Sequence, residues 1–305
     1  MGIVLAVVVV LVVVLVALRR VDGNRYAACV LTLIPHAAVV CVVAGIVALG
    51  LGWWLVGGLV LAVGLVLGAD VVPRILRSGG AVAGGRGLRV MSSNLYLGRG
   101  DVKTVVELVR IQRVDVLGLL ELTDEAAEEF VRAGLSHLLP YHVVRSAPGG
   151  AGSALYSRYP LTELDLIGQS RLAQPGGRID FGGVAVEVIA VHPVPPTMSV
   201  ADWRTDLSRL PEAASDGPVR ILAGDFNATA DHAAFRRLLR SGYLDAARES
   251  GRALTPTWRL GPLLLAPLDH VLVDGRAGIA SFRVFDIPGS DHRAVCAELV
   301  LPGPA

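Results

Sequence analysis

Charge is almost absent from the first 72 residues. Residues 1–18 carry none at all and are dominated by Val and Leu, up to Arg19-Arg20. A second apolar run covers about 27–51 and a third 53–72. Each is close to the roughly 20 residues a helix needs to cross a hydrocarbon core. Val at this density favours strands in water, but in lipid each segment must satisfy its own backbone groups, which leaves the helix. Three transmembrane helices are therefore expected within residues 1–77, making the chain a multi-pass protein of the cell membrane. The second and third should form a hairpin at Gly50-Leu51-Gly52, with Trp53 and Trp54 at an interface and a kink near Pro35-His36. A cleaved leader fits poorly, because a basic start is missing and Arg19-Arg20 stands where small residues would be cut. Arg19, Arg20, Arg25, Arg74 and Arg77 flank two of the loops, which favours a cytoplasmic C-terminal part.

The pattern changes after residue 77. Residues 78–87, SGGAVAGGRG, have the composition of a flexible tether, and 88–305 read as one soluble domain large enough for its own core. Helical spacing covers 101–112, 199–210 and 232–241, and Thr123-Asp124-Glu125 opens a further helix. Strand patterns begin at 88 and recur at 114–120, 141–144, 153–156, 161–167, 184–191, 219–223, 268–273, 279–285 and 294–299. Several strands follow one another without a helix between, which excludes a doubly wound order and favours two packed sheets with helices outside. The net charge of +1 gives no global field for nucleic acid, and the 3 Cys form no metal-binding spacing or disulfide framework.

Polar groups stand at the ends of these apolar strands: Asn94, Glu121, His192, Asp225 with Asn227, Asp269 with His270, and Asp291 with His292. Singly, each has an ordinary reading as a turn, cap or surface group. Their recurrence at successive strand ends points to one shared edge. Asp231 reads as a helix N-cap, His137 and His142 as surface groups, Arg236, Arg237 and Arg240 as a solvated helix face, and His270 as facing away from Asp269.

In this order, the stretches Ser93-Asn94-Leu95, Leu120-Glu121, Gly152-Ser153-Ala154-Leu155-Tyr156-Ser157-Arg158-Tyr159-Pro160-Leu161, Val191-His192-Pro193, Gly224-Asp225-Phe226-Asn227-Ala228, Leu268-Asp269-His270 and Ser290-Asp291-His292-Arg293 resemble the endonuclease/exonuclease/phosphatase (DNase I-like) superfamily. The resemblance covers the soluble domain and not the first 87 residues. It implies an α/β fold, a four-layer sandwich of two mixed β-sheets flanked by helices, and Mg²⁺-dependent attack of water on a phosphoester, with Mn²⁺ able to stand in for Mg²⁺. It makes Glu121 the principal metal ligand, helped by Asn94 and Asp291. It gives Asp225 and Asn227 the orientation of water and phosphate, Asp269 the orientation of His292, and His192 a contact to the phosphate or leaving group. The residue chemistry agrees: Mg²⁺ takes hard oxygen donors, and a carboxylate-held His can serve as a base near neutral pH. Ser93 and Tyr96 replace an aromatic and a second acidic group often found in the family, which favours a single metal site.

The sequence thus points to a membrane-anchored, metal-dependent phosphoesterase. Its substrate is a lipid head group, a nucleotide or nucleic acid, its other partner is the bilayer, and no protein partner is implied. The alternatives are a DNase-like endo- or exonuclease and a non-catalytic membrane sensor of a phosphorylated ligand.

Overall fold

The computed structural model describes residues 22–76 and 85–303. The first apolar run and most of the Gly-rich tether lie outside the described residues. Helices are α1 (Arg25–Leu31), α2 (Ile34–Gly50), α3 (Trp54–Val71), α4 (Val102–Ile111), α5 (Asp124–Arg132), α6 (Leu135–Leu138), α7 (Val200–Arg209), α8 (Ala233–Arg240) and α9 (Ala246–Glu249). Strands are β1 (Arg86–Asn94), β2 (Val116–Leu120), β3 (Tyr141–Arg145), β4 (Ser153–Ser157), β5 (Leu161–Leu164), β6 (Gly176–Asp180) and β7 (Ala185–Val191). They continue with β8 (Val219–Asp225), β9 (Tyr243–Asp245), β10 (Trp258–Leu260), β11 (Leu263–Ala266), β12 (Asp269–Asp274), β13 (Gly278–Asp286) and β14 (Arg293–Leu301).

Alternation along the strands builds the layers. One six-stranded sheet has the order β13-β14-β1-β2-β4-β3 and the other β5-β6-β7-β8-β12-β9. Val90, Val116 and Val295 face Val188, Ile221 and Val271 in the core between the sheets. Residues one step along turn outward: Met91 and Leu117 pack under Val105, Val109 and Phe130 of α4 and α5. On the other side Leu222 and Leu272 pack under Trp203 of α7 and Phe235 of α8. Two mixed sheets with helices on their outer faces match the layered α/β arrangement that the resemblance implies.

Register decides where the strands end. β1 and β2 run parallel with Asn94 opposite Leu120, so Glu121 follows directly beside Asn94. β7 and β8 run parallel with Val191 opposite Gly224, which sets His192 beside Asp225. β12 runs antiparallel to β8 with Asp269 opposite Asp225. β14 runs antiparallel to β1 with Ser92 opposite Val295, bringing the start of β14, and His292 before it, to the Asn94 end.

The expectation of three spanning helices is not met as such. Among the described residues one helix, Trp54–Arg74, is long and apolar enough to cross a membrane. The second run is broken at Thr32-Leu33, just before Pro35, and α1 and α2 meet at 60°. They would make one further span only as a bent pair. The physical reason is that α1 and the residues before it are held by α7 and α8. Asp22 accepts from Ala233 N–H and, at 2.8 Å, from Ala234 N–H, so it caps α8. Asp231, expected as that cap, instead takes a bidentate pair of 2.8 Å bonds from Arg74. Arg204 donates to the Gly23 carbonyl at 2.8 Å, and His232 Nε2–H to the Ala28 carbonyl at 2.9 Å. α2 and α3 pack closely through small residues: a Cβ on Gly45 would lie 2.6 Å from Leu61 N, and one on Gly57 2.7 Å from Leu49 N.

Candidate active site

The strand ends meet in one cavity of about 550 Å³, lined by Glu121, His192, Asp225, Asn227, Asp291 and His292 among others. Asn94 joins the two sheets across its floor. Its Nδ2 donates to Glu121 Oε1 at 3.1 Å and to Asp225 Oδ2 at 3.2 Å. Glu121 Oε2 also accepts from Leu97 N–H at 2.8 Å. Glu121 has φ +54° and Asn227 φ +49°, a left-handed conformation that costs a residue with a Cβ about 1–2 kcal/mol. Asn tolerates it better than Glu, so the fixed carboxylate of Glu121 is the more informative outlier.

His292 stands between two carboxylates. Its Nδ1–H donates to Asp269 Oδ2 at 2.8 Å, and its Nε2 lies 3.6 Å from Asp225 Oδ2. Burial opposes the imidazolium, but Asp269 and Asp225 together outweigh it and raise the His292 pKa to about 10. Burial pushes the Asp225 carboxyl up to about 6 against the attraction of His292. These two groups titrate as a pair. Burial also lowers the pKa of His192 and keeps that ring neutral. Its Nε2 lies 3.9 Å from Glu121 Oε1, and its Nδ1 is buried with no partner among the described residues.

Further contacts fix these groups in place. Asn227 donates its N–H to Asp225 Oδ1 at 2.8 Å and its Nδ2 to the Pro193 carbonyl at 3.2 Å, tying the two strand ends together. Ser290 Oγ accepts from His292 N–H at 3.0 Å and donates to the Asn94 carbonyl at 2.8 Å. Sequence reasoning missed Thr257 and Trp258. Thr257 Oγ1 accepts from Leu268 N–H and Asp269 N–H, both at 3.0 Å, and Trp258 Nε1–H donates to Asp291 Oδ2 at 3.3 Å. No strand or helix period marks them, because β10 has three residues. Gln174, whose Oε1 accepts from His192 N–H at 3.0 Å, was missed for the same lack of local pattern. His270 turns away, donating to Asp245 Oδ2 at 3.2 Å and to the Ala228 carbonyl at 3.0 Å.

The donor set suits a hard divalent cation. Glu121 and Asp291 offer carboxylate oxygens to the same cavity, and Asp291 Oδ1 is buried without a partner among the described residues. Asn94 turns its Nδ2 to the carboxylates and accepts with Oδ1 from Tyr96 N–H at 2.9 Å, so service as an oxygen ligand would need a half-turn of its amide. Ligand atoms of Asp225, Asp269 and His292 also lie within 4.8 Å of one another. Within this trio His292 Nδ1 is already engaged with Asp269, which leaves Nε2 and the Asp225 carboxylate as the groups turned to the cavity.

Residues 91–292 match the Endonuclease/Exonuclease/phosphatase family. No curated protein matches the sequence. An endonuclease/exonuclease/phosphatase from Beutenbergia cavernae is similar in structure, with 18% identity, 72% of each chain covered and a TM-score of 0.56. D. rerio TDP2 complexed with single strand DNA product has 15% identity and a TM-score of 0.55, over 70% of this chain and 98% of that one. Sphingomyelinase C from Streptomyces griseocarneus has 16% identity and a TM-score of 0.51, over 70% of this chain and 99% of that one. At these identities the structural likenesses concern the fold alone. By the span of the family match, the chain belongs to the endonuclease/exonuclease/phosphatase family.

Proposed function

We propose that this family member is a membrane-anchored phosphoesterase that hydrolyses a phosphodiester or phosphomonoester with Mg²⁺, its parts being a membrane segment (1–77), a tether (78–87) and a catalytic domain (88–305). The reading rests above all on one observation: Asn94 Nδ2 lies within 3.2 Å of carboxylates from two different sheets, in the cavity that also holds His292.

Glu121 and Asp291, with Asn94 beside them, would hold the cation. When bound, it supplies charge stabilisation to the non-bridging oxygens of the phosphate. Asp225, raised to about 6, is suited to take a proton from water at neutral pH. Sequence reasoning favoured His292 as that base; the pull of two carboxylates makes it the better cation, donating from Nε2 toward a phosphate oxygen. Asp269 fixes the ring so that Nε2 faces the cavity. His192, neutral and with Nε2 on the Glu121 side of the cavity, can donate a hydrogen bond from Nε2 to the phosphate or the leaving oxygen. Asn227 holds Asp225 and the His192-Pro193 corner in register. The apolar span Trp54–Arg74 supports the membrane anchor, and Arg74 and Arg77 after it favour the cytoplasmic side.

An arginine cluster at Arg86, Arg89, Arg110, Arg113 and Arg158 sits around the start of β1, whereas the cavity lies at the Asn94 end. A nucleic-acid backbone tracking that cluster would not pass over His292, which weighs against the nuclease reading. In the test, full-length protein with Mg²⁺ is given chromogenic phosphodiesters and phosphomonoesters. Wild type should turn one over, and Asp225→Ala and His292→Ala should each lower kcat by about 10²–10⁴-fold. Equal behaviour of the three proteins on every ester would refute the reading.

A further inference from the structure

Part of the cavity wall comes from outside the domain that carries the chemistry. Ala28, Cys29, Thr32 and Leu33, on α1 and the joint before α2, line it together with the site groups. They are held there by the Asp22, Arg74, Arg204 and His232 contacts described above. Away from the carboxylates and imidazoles the wall is mostly apolar, with Leu260, Leu265 and Leu268 contributed by the domain. A free phosphate from water would gain nothing from such a wall.

The helices fix where a bilayer would lie. The start of α2 and the end of α3 pack together through Ile34, Ala38, Leu67 and Val71, and Leu254 of the domain packs on this cluster. A helix rises 1.5 Å per residue, so the far turn at Gly52 lies about 25 Å beyond. Both helices therefore leave the domain at the level of Ile34 and Val71, beside the cavity, and Val39, Val43, Ile46 and Leu65 are exposed along them. At the near end the hairpin β10–β11 carries Leu260, Leu263 and Leu264, which are 61%, 61% and 40% exposed. Leucines so placed on a hairpin gain nothing in water, but they are favoured at the boundary of head groups and acyl chains.

We propose that the cleft takes a phosphoester carried on a hydrocarbon tail and still seated in the bilayer. The ester reaches Asp225 and His292, the tail runs along Thr32, Leu33, Leu260 and Leu265, and Leu263 and Leu264 dip into lipid beside it. This rests on the phosphoesterase reading and on α2 and α3 lying in a bilayer.

The test uses full-length protein in phosphatidylcholine vesicles with Mg²⁺ and two diesters, hexadecyl 4-nitrophenyl phosphate and ethyl 4-nitrophenyl phosphate, which share a reacting centre. The expected kcat/KM is at least about tenfold higher for the hexadecyl ester. The double variant Leu263→Glu, Leu264→Glu should remove that preference and change the ethyl rate by less than about twofold, since neither side chain lines the cavity. Separately, Leu264→Trp should add emission that brominated phosphatidylcholine quenches. Equal rates on the two esters, or an unquenched Leu264→Trp, would overturn the inference and leave the phosphoesterase reading standing. If neither ester is hydrolysed, the phosphoesterase reading itself falls, and the substrate assignment falls with it.

Discussion

At the scale of single residues, the site is organised by what each carboxylate is asked to hold. Asp269 is buried, accepts from His292 at 2.8 Å, and has its own backbone N–H tied to Thr257. It positions the imidazole and does not itself face the cavity. Asp269→Asn keeps the shape but removes the charge that stabilises the imidazolium. Turnover should fall by about 10²–10⁴-fold, through kcat more than KM, while the unfolding temperature moves little. Steady-state kinetics beside a melting curve would show this; a change confined to KM would mean that Asp269 acts on binding. Asn94, Glu121, Asp225 and His292 were legible in the sequence because each stands at or beside one end of an apolar strand and register then brings those ends together. Thr257 and Trp258 were not, because their partners Asp269 and Asp291 lie more than ten residues away and β10 is too short to show a period.

At the scale of elements, the junction between α1 and α8 is where sequence logic and structure part. An Asp before a helix is normally its cap, and Asp231 fits that pattern. The cap instead comes from Asp22, 211 residues earlier, because the Arg74 guanidinium claims Asp231. No local pattern can report such a choice. β6, which reads Gly-Gly-Arg-Ile-Asp, was missed as well, since paired glycines look like a turn. The predicted strand over 161–167 stops at Leu164 for lack of a partner beyond Gly176.

His232 makes the junction pH-sensitive. Its Nδ1 accepts from Thr229 N–H at 2.9 Å and its Nε2–H donates to Ala28, so the bonded ring is neutral. Burial lowers its pKa, against the pull of Asp22 and Asp231. A histidine lowered in this way contributes full stability above the unfolded imidazole value of about 6.5 and loses it as the pH falls below, by about 1.4 kcal/mol per pH unit down to the folded value. Thermal unfolding of the full-length protein should therefore shift down between about pH 7 and pH 5.5, and less so in His232→Asn. Identical pH dependence in the two proteins would show that this ring does not control docking.

At the scale of the whole molecule, two sheets from one chain bring the strand ends of the candidate site to a single seam, and α1 with the joint before α2 closes part of it. The layered α/β architecture was legible because strands follow strands without intervening helices. The docking of α1 was not, because apolar runs read from sequence look alike whether lipid or protein covers them.

The most direct test is to follow 4-nitrophenyl phosphodiester hydrolysis by the full-length protein as free Mg²⁺ is titrated, in wild type and in Glu121→Gln. A saturable rate that a chelator abolishes, with half-saturation moved up by about 10–100-fold in the variant, is expected. A rate indifferent to chelation, or the same Mg²⁺ curve for both proteins, would contradict a cation held at Glu121.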